Sequence, residues 1–210
     1  MNAVERILED FRAHAERAEP DRWGAARQAA AQALRRHALP TRRDENWRYT
    51  NLIPLDSVPG FRPGYSPAAR PTDPLPAPLP GFARLVWVDG RLRLDLSLPD
   101  PALLDRLRSA AAPVPEAAAS AFESSGDGRF GLLPRMFAPD PLSLRLSGNL
   151  SLELVSIATE ATNAAYTDIE LQLAPHTRLE LVEQHLGVAG PAAGPAGLTC
   201  ARVRLSLEAD

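Results

Sequence analysis

Residues 142–154 read LSLRLSGNLSLEL, and here the spacing of apolar side chains changes from a helical period to a strand period. Leu142, Leu144 and Leu146 alternate with Ser143 and Arg145, and Leu150, Leu152 and Leu154 alternate with Ser151 and Glu153. Successive side chains on a strand point to opposite faces, so each run predicts a strand with one face buried and one in water. The alternation returns in Thr167, Ile169, Leu171 and Leu173 against Asp168, Glu170 and Gln172, and again, after a corner at 174–177, in Leu179 and Leu181. A Gly/Pro/Ala loop covers 188–197, and a last strand over 199–208 sets Ala201, Val203, Leu205 and Leu207 inward. Short strands with tight corners and almost no helix among them predict a β-solenoid, with a β-sandwich as the competitor.

Upstream of 142 the signals are mixed. Residues 85–88 and 91–96 flank Asp89-Gly90, a pair that tolerates the positive φ angles of a type I′ hairpin turn. Residues 101–112 predict a short helix with Leu103, Leu104 and Leu107 on one side, and 116–124 predict another. Gly126, Gly128 and Gly131 spell G-x-G-x-x-G, but an alanine-rich segment stands where a nucleotide-binding strand would be, and Pro134 interrupts the place of the helix. The glycines predict a turn. Eight prolines between 59 and 80 exclude a regular element and predict a spacer.

The first part of the chain is helical in pattern. Val4, Ile7, Leu8, Phe11 and Ala15 make one apolar stripe, and Trp23, Ala26, Ala30, Ala33 and Leu34 make a second, trailed by Arg35, Arg36 and His37. Together they predict a helical hairpin that packs on itself or offers its alanine-rich face to a partner. Pro40 closes the second helix, and Thr41 with Asp44 has the spacing of a capping box for a third over 42–50, with Trp47 as its apolar anchor.

Composition excludes several functions. All 23 basic residues are arginine, so a phosphate-binding or Schiff-base lysine is missing. A formal charge of −3 and a pI near 5.8 argue against nucleic acid or an anionic membrane surface as partner. One cysteine, Cys200, forbids an internal disulfide and any multi-cysteine cluster site within one chain. With no apolar leader in the first thirty residues and no apolar run of membrane-spanning length, the expectation is a cytoplasmic protein.

Chemistry-bearing residues are few. Glu183 and His185 are two apart on a strand and share a face, which would supply two metal ligands but no third. Cys200 lies out of phase with the inner residues of its strand, beside Arg202 and Arg204, so it is either an activated thiol or a buried inert one, the second reading being preferred. Asp168, Glu170 and Glu180 are the candidates for carbohydrate-active carboxylates, and their spacing is that of a solvated strand face. Nothing in the sequence specifies an enzyme.

Pro40, Thr41, Arg42, Glu45, Trp47, Tyr49 and Thr50 form the pattern P-T-R-x-x-E-x-W-x-Y-T, which resembles the N-terminal signature of the SufD family, subunits of the iron-sulfur cluster assembly scaffold. Two further segments are similar to that family: 86–98, VWVDGRLRLDLSL, and 169–187, IELQLAPHTRLELVEQHLG. Residues 130–140 depart from its pattern. The resemblance implies a chain that is mainly β with an N-terminal helical arm (1–58), a Pro-rich linker (59–81), a hairpin with short helices (82–141) and the first strands of a right-handed parallel β-helix (142–210). It also implies a non-enzymatic subunit working with SufB-like and SufC-like ATPase partners, with no cofactor of its own, the cluster being handled by the complex. The family's later β-helix coils, its C-terminal histidine and its ATPase-binding helices have no counterpart here, so the expectation is an N-terminal half that associates when isolated. A free-standing β-rich interaction module is the alternative, and a β-helix enzyme acting on polysaccharide is the weaker one.

Overall fold

The computed structural model describes residues 2–17, 21–64, 75–108, 128–159, 164–187 and 197–208. The N-terminal pattern folds as expected into α1 (Ala3–Ala15) and α2 (Gly24–His37). Asn2 and Glu5 close a capping box at the start of α1, each side chain accepting the other's backbone N–H at 2.9 Å. Ile7 and Phe11 of α1 and Ala30, Ala31 and Leu34 of α2 are buried together. α2 ends one residue earlier than Pro40 requires, because Ala38 turns to φ 55°.

The helix expected over 42–50 does not form. Thr41 donates both its N–H and its hydroxyl to Asp44 Oδ2, at 2.7 and 3.0 Å. That closes a tight turn and leaves a single 3-10 turn, Glu45–Trp47, held by bonds between residues three apart. Further on, α3 (Pro101–Arg108) starts at Asp100, whose carboxylate accepts the Leu103 N–H at 2.7 Å. The second helix expected at 116–124 lies outside the described residues. Gly128–Gly131 forms a 3-10 turn and leads directly into α4 (Leu132–Phe137). Pro134 therefore does not interrupt that helix: it sits in the first turn, where no intrahelical N–H bond is lost.

Among the described residues the strands are β1 (Ala83–Val88), β2 (Arg91–Leu92), β3 (Leu142–Leu146), β4 (Asn149–Ala158), β5 (Ala164–Leu173), β6 (Arg178–Gly187) and β7 (Leu198–Leu207). One sheet is mixed, in the order β2-β1-β4-β6, its β1–β2 hairpin antiparallel and its other strand pairs parallel. The other, β3-β5-β7, is wholly parallel. From β3 onward consecutive strands alternate between the sheets, so each strand pairs with the one two places along. The β1–β4 ladder joins segments on either side of residue 142 into one sheet.

The two sheets enclose a core of Leu85, Trp87, Leu144, Leu146, Leu152, Leu154, Ile169 and Leu171, closed by Leu103 of α3. Each such side chain contributes roughly 1.5–3 kcal/mol when fully removed from water. The hairpin expected at Asp89-Gly90 is present, with φ of 50° and 81° at its two central residues, but its second strand stops at Leu92 and does not reach the expected 96. Corners stack as well: Ala174 N–H donates to Leu146 O at 2.9 Å and Arg178 N–H to Gly148 O at 3.1 Å.

The expectation of one-face-buried strands is overturned for β4 and β5. Their outer faces are covered too, Val155 and Ile157 by an apolar cluster with Val86 and Val88, and Asp168 and Glu170 by α4 and β7. Tyr166 on the same outer face stacks on Phe137 of α4 (centroids 5.1 Å), which meets Phe11 of α1 edge-on (5.8 Å). The Tyr166 hydroxyl donates to Phe61 O at 2.8 Å. In this way the helical hairpin is locked onto the parallel sheet. Among the described residues no helix is long and apolar enough to cross a membrane.

Candidate functional site

Glu183 and His185 do share a face of β6, with Nε2 3.4 Å from Oε2. Register sets Glu183 beside Leu154 and His185 beside Ser156, so the pair faces the space between the sheets. Both are nevertheless exposed, because β6 is the outer strand of its sheet. Among the described residues no group of three or more His, Cys, Asp or Glu side chains is arranged to hold a metal ion. The pair is thus two donors at a sheet edge.

Cys200 points away from the space between the sheets, into the apolar cluster around Tyr166 and Phe137, and its thiol lies 3.6 Å from Phe130 O. Burial pushes its pKa up to about 12. Arg202 does not offset this, since it is committed to Asp168 (2.5 Å) and Glu170 (3.1 Å). At neutral pH the group is a thiol, not a nucleophilic thiolate. His14 packs near the Phe137 ring (6.0 Å), and burial, then the charge of Arg27, hold its pKa below the ordinary histidine value.

The P-T-R-x-x-E-x-W-x-Y-T residues form the joint between α2 and the body. Pro40 is buried and Trp47 packs against Phe130 at 5.0 Å, while Thr41, Arg42, Glu45, Tyr49 and Thr50 are exposed. Arg129 reaches across from the 128–131 turn, donating to Asp44 and to His37 O (3.4 Å). The Thr41 N–H, and then Arg129, lower the Asp44 pKa.

Two buried ionic clusters escaped the sequence. Asp168 and Glu170, expected on a solvated face, are 1% and 5% exposed and share Arg135 of α4 and Arg202 of β7. Glu180 alone of the three candidate carboxylates is exposed. On the other sheet Arg84 and Glu153, 2% and 0% exposed, form a two-pronged pair at 2.6 and 2.8 Å. Arg84 also donates to Pro76 O (2.8 Å) and Ala77 O (3.0 Å), and Glu153 accepts from Gln184 (2.6 Å) and the Leu79 N–H (3.4 Å). The described end of the Pro-rich segment is thereby strapped across the sheet. In-register opposite charges, Asp168 beside Arg202 and Arg84 beside Glu153, were the signal available, but it needs the strand pairing first.

Each carboxylate of these two clusters is matched by guanidinium, an arrangement that holds strands and helices in place, and Glu170 Oε2 is buried without a hydrogen-bond partner among the described residues. No family model matches this chain, and no curated protein matches it.

Proposed function

We propose that this chain is a non-catalytic subunit of an iron-sulfur cluster assembly scaffold of the SufD type, acting in the cytoplasm with a SufB-like subunit and a SufC-like ATPase. In this reading the alternating strands are the start of a right-handed parallel β-helix. The cluster is cargo of the complex, and the chain carries no cofactor of its own.

One observation carries the reading: each of the three SufD-like segments coincides with a distinct structural joint. The signature stretch couples α2 to the 128–131 turn through Trp47 and Arg129. Segment 86–98 makes the β1–β2 hairpin, whose first strand starts a parallel ladder. Segment 169–187 spans the end of β5, a corner and all of β6, which is one passage between the sheets. A scaffold needs rigid joints and edges for partners, and buried ion pairs supply rigidity without chemistry.

The test is co-expression of tagged full chain with a SufB-like subunit and a SufC-like ATPase, then affinity capture and size-exclusion chromatography. A co-eluting complex containing the SufB-like subunit is expected. If the chain elutes alone while the other two still associate, the scaffold assignment fails and a free-standing interaction module takes its place.

A further inference from the structure

The arginines of this protein are unevenly spent. In the body many are engaged: Arg84 with Glu153, Arg91 with Asp140, Arg93 with Asp95, Arg135 and Arg202 with Asp168 and Glu170, and Arg145 with Glu208. Around the joint after α2, Arg36 and Arg129 are engaged too, but others are not. Arg35, Arg42, Arg43 and Arg48 are exposed, and none has a side-chain partner among the described residues. Residues 42–49 hold three arginines against Asp44 and Glu45, and Asp44 is already paired with Arg129. Beside them stands Tyr49, 92% exposed, and then Ile53, 66% exposed.

This surface is held in shape. Arg129 ties the end of α2 to the 41–44 turn that carries the Arg42/Arg43 pair, whereas Arg35 lines the groove between α1 and α2 beside Arg12 and Glu16. The Thr41–Asp44 bonds and the Trp47–Phe130 contact fix the turn from which Arg48 and Tyr49 project. Ala38 sits at φ 55° and ψ −176°, a conformation suited to glycine that persists only where the surroundings impose it. Arginine and tyrosine are among the residue types that carry most binding energy at protein interfaces, and a surface arranged in advance loses less entropy on binding.

We propose that the face formed by Arg42, Arg43, Arg48 and Tyr49 is a docking site for an acidic protein segment that carries an apolar anchor. The unpaired guanidiniums recognise carboxylates two-pronged, and Tyr49 with Ile53 receives the anchor. A polyanion such as nucleic acid, or an anionic bilayer, fits less well, because the formal charge of −3 sets the field of the whole chain against it. The inference does not depend on the scaffold assignment.

The test uses the full chain and a fluorescein-labelled peptide of Glu and Asp flanking Leu and Phe, read by fluorescence anisotropy. A Lys-for-acid version, oligo-dT and phosphatidylglycerol vesicles are run alongside. Salt-sensitive binding of the acidic peptide is expected, weakened about tenfold or more by Arg42→Glu/Arg43→Glu/Arg48→Glu. Tyr49→Ala should weaken it without changing the salt dependence. Arg12→Glu and Arg178→Glu, at exposed arginines elsewhere, should leave it unchanged; circular dichroism checks that every variant is folded. No binding, equal binding by the triple variant, equal loss in the Arg12 and Arg178 variants, or preference for oligo-dT or vesicles would overturn the proposal.

Discussion

Replacing Glu153 with leucine should be among the most damaging single changes in the molecule. The side chain is 0% exposed and accepts from Arg84 twice, at 2.6 and 2.8 Å, from Gln184 at 2.6 Å and from the Leu79 N–H at 3.4 Å. Its removal leaves the Arg84 guanidinium, 2% exposed, with two backbone carbonyls and no counter-charge. Breaking one side of such a buried pair costs about 3–5 kcal/mol, a large share of the roughly 5–15 kcal/mol that holds a domain folded. Urea unfolding of Glu153→Leu, Arg84→Met and the double variant measures this. The double variant should be more stable than either single one, because it buries no lone charge. The pH dependence has a definite sign. The Arg84 hydrogen bond holds the Glu153 carboxyl below the usual range, so its stabilisation is full above the unfolded value of about 4.3 and is lost as pH falls through the lower folded value. Both single variants should lack that acid-side loss. A cost under about 1 kcal/mol for Glu153→Leu, or strict additivity in the double variant, would refute the argument.

Three further outcomes are expected. Gly90→Ala should destabilise by about 2 kcal/mol or more in thermal melts, since φ is 81° and the added Cβ would lie 2.4 Å from Tyr166 O and 3.0 Å from Pro139 Cδ. Ala38→Gly should stabilise by roughly 1 kcal/mol, because glycine adopts φ near 55° without the strain alanine carries; an unchanged midpoint would show the joint is relaxed. Cys200, with its pKa pushed up to about 12, should react with a disulfide reagent at pH 8 far more slowly in the native protein than in urea, and equal rates would show an open thiol.

Local signals in the sequence carry well where chemistry is local. Asp89-Gly90 announces its hairpin, the stripes of Ile7 and Phe11 and of Ala30 and Leu34 announce their helices, and the alternation of Leu144, Leu146, Leu152 and Leu154 gives the inner faces. The 42–50 helix is absent because Asp44 serves Thr41 in a turn, a use that the capping-box spacing does not distinguish. The outer faces mislead for a different reason. Polar residues alternating with leucine look solvated in either case, and only the approach of Arg135 from α4, or of Arg84 from β1, turns Asp168, Glu170 and Glu153 into buried acids. Of the candidate sites, the shared face of Glu183 and His185 comes from period alone, and so does the outward direction of Cys200. That Arg42, Arg43 and Arg48 have no side-chain partner among the described residues is invisible in the sequence, since pairing is a property of neighbours.

The alternation of strands between the sheets has a consequence for how the protein is made. Among the described residues, no strand from β3 onward bonds to the strand that precedes it, so a newly synthesised β4 or β5 has no ladder to close with the strand the ribosome has just delivered. β1 waits for β4, and β4 then templates β6. Contacts of such sequence separation form slowly, and the interval leaves the edges of β1 and β3 open. Layers would thus be added in chain order, β6 onto β4 and β7 onto β5, so the first ladder comes before the rest of the sheet pair.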